Sequence, residues 1–467
     1  MPEIVVNPVT RIEGHAKITL DLDEAGQLRS GHMQVLEIRG FEKLLQGMEL
    51  YKMPQMTARL CGVCPAAHHL VAVTAIENGL GVTPPPAARR LRDLLYAGHI
   101  IHSHALSNFV LTGPDLLLGI DAEPASRNVF SLLRVAPELA KKLLRVRSIG
   151  QRVVEMVGGR GVHPVAAVPG GMSGAPTPDQ LTTIASWGGE AVTLLEEVVE
   201  VLSEKLGALG ALREPLTLPF RSLALSNDGR VSYLDGVWVV QGPDGAEERH
   251  FAGSDYAQHL VEHVMPGSYM KSVRLRGPEE QHFFVGPLAR LNVNQALGTP
   301  RADAALTEYR AAGTPRTSAI DYVQARLIEM LHCAERLAEL AGSEIDGPLR
   351  VPVEPAGAGR FVGAIEAPRG FLVHDFTTDD DGRLTAVNLI VATQNNYDAI
   401  DHAITGLARH LLPQGDDGAL LNGIEFAMRC FDPCLACATH VAGRMPLEVG
   451  LTCDGRVERT IRRRAAS

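Results

Sequence analysis

For a chain of 467 residues this sequence is short of cysteine, with only seven, too few for a disulfide-stapled secreted scaffold. It has no run of about 18 apolar residues, the length a membrane-spanning helix needs. The N-terminus, MPEIVVNPVTRIEGH, has no basic stretch leading into an apolar one and no twin arginine. No export signal is therefore read there, and the expectation is a soluble cytoplasmic protein. Positive charge is in deficit: 44 Lys and Arg stand against 54 Asp and Glu, for a formal net charge of −10. That argues against nucleic acid or an anionic membrane as the main partner. Neither a Walker A lysine motif nor a complete G-x-G-x-x-G is present, since Gly357-Ala358-Gly359 does not continue as one. Nucleotide binding is left to a partner. Internal repeats, low-complexity tracts and linkers are missing too, which favours one intertwined domain over beads on a string.

What is present is 45% hydrophobic and 21% charged residues, enough for a substantial core. Residues 3–22 and 28–38 alternate apolar and polar around Glu24-Ala25-Gly26, which predicts a hairpin. Apolar residues then recur every three or four positions through Ala87–Leu111, Pro137–Val157 and Pro178–Leu212, predicting helices. The Gly/Pro-rich segment from Gly158 to Pro178 is a loop. Residues 214–300 read as short strands and turns, with VSYLDGVWVVQGPDG as a hairpin. Helical spacing returns over Asp303–Leu340 and Tyr397–Leu412, while FVGAIEA and TAVNLIVAT read as strands. The fold class is mainly α with small β regions (α+β).

Four of the seven cysteines form two C-x-x-C pairs, Cys61/Cys64 and Cys434/Cys437. Thiolates are soft ligands for zinc, iron–sulfur clusters and late first-row metals, and four suit a tetrahedral site. A structural zinc, an iron–sulfur cluster and unrelated cysteines all remain open on spacing alone. Cys333 lies in a helical run and reads as core; Cys430 reads as packing. His259-Leu260-Val261-Glu262-His263 fits H-x-x-E-H, but without a third ligand a polar helix face is the plainer reading.

The residues flanking the pairs are more specific. Arg59-Leu60-Cys61-Gly62-Val63-Cys64-Pro65-Ala66-Ala67-His68 and Asp432-Pro433-Cys434-Leu435-Ala436-Cys437-Ala438-Thr439-His440 resemble the two signatures of the nickel–iron hydrogenase large subunit. Further blocks similar to that family follow in order: Arg11-Ile12-Glu13-Gly14-His15, Arg39-Gly40-Phe41-Glu42, Val285-Gly286-Pro287-Leu288, Glu366-Ala367-Pro368-Arg369-Gly370 and Asn388-Leu389-Ile390-Val391-Ala392-Thr393. The resemblance implies the large-subunit fold, a central helical bundle with peripheral hairpins, and heterolytic splitting of dihydrogen. It implies Cys61 and Cys434 as terminal nickel ligands, with Cys64 and Cys437 bridging nickel to an iron that carries carbon monoxide and cyanide. By the same resemblance the proton goes to a thiolate, Cys437, and on to Glu13. Arg369 sits above the metals, paired with Asp432; Thr393 donates to a cyanide; His68 donates to the bridging sulfur, with His69 its rival. Glu42, the Leu389 carbonyl and His440 are matched to magnesium ligands. One departure is Ser107, where many members place an acidic partner for that arginine.

The resemblance also implies that residues 1–440 are the catalytic domain and 441–467 an extension. An endopeptidase cuts after His440 once nickel has been delivered by chaperones. No cysteine pattern remains for iron–sulfur clusters, so an iron–sulfur small subunit is the implied partner. VGPLARLN and NLIVATQNN resemble the cytoplasmic bidirectional group, whose diaphorase subunits carry FMN and use NAD(P). The alternatives are coupling to heterodisulfide reductase or a deazaflavin, and a zinc-stapled scaffold. The quinone-site subunit of respiratory complex I shares the fold but lacks the four cysteines.

Overall fold

The computed structural model describes residues 3–6, 9–35, 40–435, 447–453 and 456–463. The strand end expected at 36–38, together with Arg39, Cys437 and His440, lies outside the described residues. The helices that place the site are α1 (Phe41–Leu44), α2 (Pro65–Leu80), α3 (Pro86–Leu106), α4 (Pro137–Gly158), α5 (Pro178–Ala208), α6 (Pro287–Val293), α7 (Asp321–Ala341), α8 (Tyr397–Leu411) and α9 (Asp417–Cys430). Proline opens each of α2 to α6, where its missing N–H leaves nothing unsatisfied and its φ is already helical. Thr177 and Gln180 add a reciprocal capping box to α5. The bundle forms as α3 packs on α4 and α7, and α7 on α5. The expected helix over Asp303–Leu340 is two, Pro300–Arg310 and α7, because Gly313 and Pro315 interrupt the ladder.

The N-terminal hairpin is present, but its first arm is two strands. β1 (Glu3–Val6) and β2 (Ala16–Leu22) pair antiparallel, and β2 pairs with β3 (Leu28–Val35). Residues 10–13 leave the sheet because Thr10, Arg11 and Glu13 bond to Glu425, Asp115 and Leu435 instead. The expected hairpin over 231–245 lies one strand further on. β4 (Arg221–Asn227) pairs with β5 (Val237–Gln241), and β5 turns back into β6 (Glu247–Phe251). Residues 232–236 are a loop that sends Tyr233 under the Arg290 guanidinium, 5.4 Å from its ring centroid. Strands β7 (Gly359–Ala367), β8 (Gly370–Thr378) and β9 (Leu384–Ile390) form an antiparallel meander, with β7 packed on α2. Ala367 pairs with Gly370, so Pro368 and Arg369 are the two loop residues of a tight hairpin. Two C-terminal strands, β10 (Leu447–Cys453) and β11 (Arg456–Arg463), extend the first sheet in the order β11-β10-β1-β2-β3.

The H-x-x-E-H segment is not one helix face. Tyr256–His259 is helical and Leu260–His263 is a strand. Glu262 accepts from Asn388 and Gln394, and His263 faces Glu280 at 2.8 Å, so those side chains are used structurally. Cys333 and Cys430 are buried as expected.

Candidate metal centre

The local chain explains the first cysteine pair. Cys61 is extended at the end of a short helical turn, and Cys64 is the N-cap of α2. The Cys61 Sγ accepts from the Val63 and Cys64 amides at 3.3 and 3.0 Å, so the intervening turn brings both sulfurs to one side. Cys434 follows α9 and Asp432, whose φ of +53° is one that aspartate tolerates better than most side chains. The segment between β1 and β2 completes the approach: Glu13 bridges Cys434 in parallel, and the Leu435 amide donates to the Glu13 carbonyl at 3.0 Å.

Residues 373 apart thereby meet. The Cys61 Sγ lies 3.4 Å from that of Cys434 and 2.7 Å from that of Cys64. All three sulfurs fall within 4.8 Å of one another and are buried. Hydrogen bonding with Cys434 and Cys61, then burial, push the Cys64 thiol well above its ordinary pKa. Three buried thiols in contact cannot all ionise unless a cation stands among them, and soft thiolate donors suit a late first-row metal. The donor set fits a metal centre.

Arg369 closes the site. From the tip of the β7–β8 hairpin its Nε donates to the Asp432 carbonyl at 2.6 Å and its Nη2 to the Asp432 carboxylate at 2.9 Å, while Nη1 reaches the Ser103 hydroxyl on α3 at 3.3 Å. Burial opposes its charge, but Asp432 and the three sulfurs hold its pKa above the ordinary value. Ser103 occupies the third contact, one turn before Ser107, and Asp432 supplies the carboxylate partner.

Thr393 is buried, and its hydroxyl oxygen accepts from the Cys434 amide at 3.0 Å. His68, one helical turn after Cys64, pairs through Nδ1 with His374 Nε2 at 3.1 Å. Its rival His69 turns away to the Pro54 carbonyl at 2.9 Å, its pKa pushed down to about 4 by burial. Glu42 stands on α1, which packs against β9 carrying Leu389. His374 and Ser103 are the neighbours that the sequence did not announce. His374 is the register partner of Leu389, so one strand pair links the His68 side of the centre to the Glu42 side. A surface cleft of about 590 Å³ between Asp93, Asp228, Arg230 and Arg336 contains none of the three sulfurs. The centre is an interior one.

Comparison with known proteins adds independent findings. A family model described as nickel-dependent hydrogenase matches residues 39–127, and one described as HoxL-like matches residues 3–38. The chain is 36% identical over 423 residues to the vhu-type F420-non-reducing hydrogenase of Methanococcus voltae, covering 88% of this chain and 99% of that protein. It is 34% identical over 475 residues to the NAD-reducing hydrogenase HoxS subunit beta of Cupriavidus necator, covering 96% and 97%. Among solved structures it superposes on an NAD+-reducing [NiFe]-hydrogenase in the H2-reduced state with a TM-score of 0.89 and 38% identity, covering 94% and 99%.

Proposed function

We propose a function from one premise: this chain belongs to the nickel-dependent hydrogenase family, as the large subunit of a [NiFe] enzyme that acts on dihydrogen. The observation that carries the reading is the meeting of Cys61, Cys64 and Cys434 beneath the Arg369–Asp432 pair. With Cys437, these cysteines would hold nickel and iron, Cys61 and Cys434 as nickel ligands and Cys64 and Cys437 as ligands to both metals. When bound, the pair supplies the redox-active Lewis acid at which dihydrogen is polarised and cleaved, its iron carrying carbon monoxide and cyanide.

The chain's own groups do the rest. Arg369 presents a guanidinium held by Asp432 on one side and Ser103 on the other, ordered before substrate arrives. The Thr393 oxygen already accepts the Cys434 amide, which leaves its O–H proton to donate towards a cyanide. His68 is steadied by His374, as outer-shell histidines orient ligands. Glu13, tied by its main chain to Cys434 and Leu435, takes the proton that leaves the Cys437 sulfur. Glu42, the Leu389 carbonyl and His440 are the residues that would hold a magnesium ion.

Electrons leave through a partner. Cys333 and Cys430 stand singly and buried, and burial raises both thiols, Cys333 to about 12; neither suits a cluster. An iron–sulfur small subunit takes the electrons and diaphorase subunits with FMN pass them to NAD(P)+, in line with the NAD-reducing relative and structure. The second reading places the acceptor on a heterodisulfide reductase; the relatives named F420-non-reducing count against F420, a deazaflavin, as the acceptor. Relatives matched along nearly the full chain are hydrogenases, so the zinc-stapled scaffold is set aside. No described helix is long and apolar enough to cross a membrane, and a cytoplasmic site of action is part of the proposal, as are nickel chaperones and an endopeptidase cutting after His440. The complex purified from its host under hydrogen is assayed for NADH and NADPH formation; reduction of a viologen dye but of neither nucleotide rejects the NAD(P) assignment in favour of the second reading.

A further inference from the structure

We propose that Arg290 is a positioning residue for Arg369: with Glu329, Glu366 and His104 it forms a buried clamp on the hairpin turn that presents the Arg369 guanidinium to the metals. This rests on the reading of Arg369 as the arginine above the metals.

Arg290, Glu329 and Glu366 are each 0% exposed. A guanidinium has five N–H donors in a fixed fork, and here every one is used. Nε and Nη2 grip the Glu329 carboxylate at 2.5 and 2.7 Å, and Nη1 meets Glu366 Oε2 at 2.8 Å. The remaining two donors go to main-chain carbonyls, Ala367 at 3.1 Å and Pro368 at 2.9 Å. Those are the two carbonyls immediately before Arg369. The segment bearing Arg290 touches Arg369 itself as well: Gly286, which precedes α6, has a φ of +96°, and a Cβ there would stand 2.7 Å from the Arg369 carbonyl oxygen.

The clamp closes on itself through α3. Successive residues serve its two ends: the Ser103 hydroxyl meets Arg369 Nη1 at 3.3 Å, and His104 Nε2 meets Glu329 Oε2 at 2.8 Å. Tyr96, on the same helix, donates to the Glu366 carbonyl at 2.6 Å. Burial raises Glu366 to about 7, whereas Glu329, despite burial, is held down to about 2 by Arg290 and His104. One carboxylate thus carries the charge that balances Arg290, while burial makes the other harder to ionise.

Stability alone is a poor reason for such a cluster, because apolar side chains of similar volume in place of a buried ion pair are often neutral or stabilising. Hydrocarbon cannot supply two N–H groups to the carbonyls of a hairpin tip. That is the part of the cluster a catalytic arginine needs.

The test uses the purified complex, with turnover expressed per nickel and the infrared bands of the iron's diatomic ligands recorded alongside. Arg290→Lys keeps the charge but cannot reach all five acceptors. A double variant, Arg290→Met with Glu329→Met, removes the ion pair as a unit and guards against misfolding, and Arg369→Lys serves as the comparator. The expected result is normal metal content, shifted infrared bands, and turnover lowered about 100-fold in both Arg290 variants, the effect of displacing a catalytic group by about 1 Å. Wild-type turnover and bands in either Arg290 variant, with Arg369→Lys crippled, overturn the clamp and leave the reading of Arg369 standing. Wild-type turnover in Arg369→Lys overturns the reading of Arg369 and the clamp's purpose with it.

Discussion

Replacing Asp432 by asparagine isolates one charge in the centre. Asparagine is isosteric and tolerates the φ of +53° at this position about as well as aspartate, so the backbone is left alone. Arg369 has three contacts here: its Nε to the Asp432 carbonyl, its Nη1 to Ser103 and its Nη2 to the Asp432 carboxylate. Only the last loses its charge. A hydrogen bond to a charged group contributes about 1.5–3 kcal/mol, and the expected loss lies at the upper end because both groups are almost fully buried. If all of it appears in the barrier, turnover falls roughly 10- to 150-fold. Asp432→Ala loses the same interaction, leaves the guanidinium without a carboxylate and places a less tolerant residue at positive φ. It should therefore lose metal-loaded protein as well as rate. The assay is hydrogen-dependent dye reduction by the complex, normalised to nickel. Asp432→Asn within about twofold of wild type at full metal content, less than the about 1.5 kcal/mol minimum, would refute the coupling of this pair to catalysis.

Three further outcomes are expected. The folded chain holds the Glu366 proton up to about pH 7, whereas the ordinary carboxyl value is 4.5; stability therefore falls as pH rises through that window, by about 1.4 kcal/mol for each pH unit separating the two values. Glu366→Gln carries no such proton, so its stability relative to wild type should rise between about pH 5 and about pH 7.5 in urea unfolding; a constant difference contradicts the assignment. At the α5–α7 crossing, a Cβ on Gly188 would stand 2.5 Å from the Ala338 amide nitrogen, while one on Gly189 would meet nothing within 4 Å. Gly188→Ala should lose about 1–3 kcal/mol by overpacking and Gly189→Ala gain about 0.5–1 kcal/mol from helix propensity; equal melting shifts reject the crossing. Mass spectrometry of active enzyme should find His440 as the last residue, and an intact Ser467 in active protein contradicts cleavage.

The cysteine pairs, the Arg-Ile-Glu-Gly-His block and the Glu-Ala-Pro-Arg-Gly turn were legible because each is a short run whose members act together. The long helices were legible for a similar local reason, apolar spacing reinforced by an opening proline. Partnerships across long stretches were not. Ser103 meets Arg369 across 266 positions and His68 meets His374 across 306, and no spacing rule connects such residues. Arg290 was visible only as one letter of Val-Gly-Pro-Leu-Ala-Arg; its work depends on Glu329 and Glu366 arriving from a helix and a strand. Residues 232–236 were misread as part of a strand arm because Tyr233 and Leu234 are apolar, although Tyr233 sits half-buried in a loop that covers Arg290. His259–His263 was misread as helix because a polar pattern five residues long does not distinguish a helix from a helix end running into a strand.

The central claim is that Cys61, Cys64, Cys434 and Cys437 hold a nickel–iron pair. Its most direct measurement is infrared spectroscopy of the complex purified from its host under hydrogen, with nickel and iron determined on the same sample. Nickel and iron are expected in equal amount, together with bands of metal-bound carbon monoxide and cyanide, all lost in Cys61→Ser. Zinc alone, with no such bands in protein lacking residues 441–467, would contradict it.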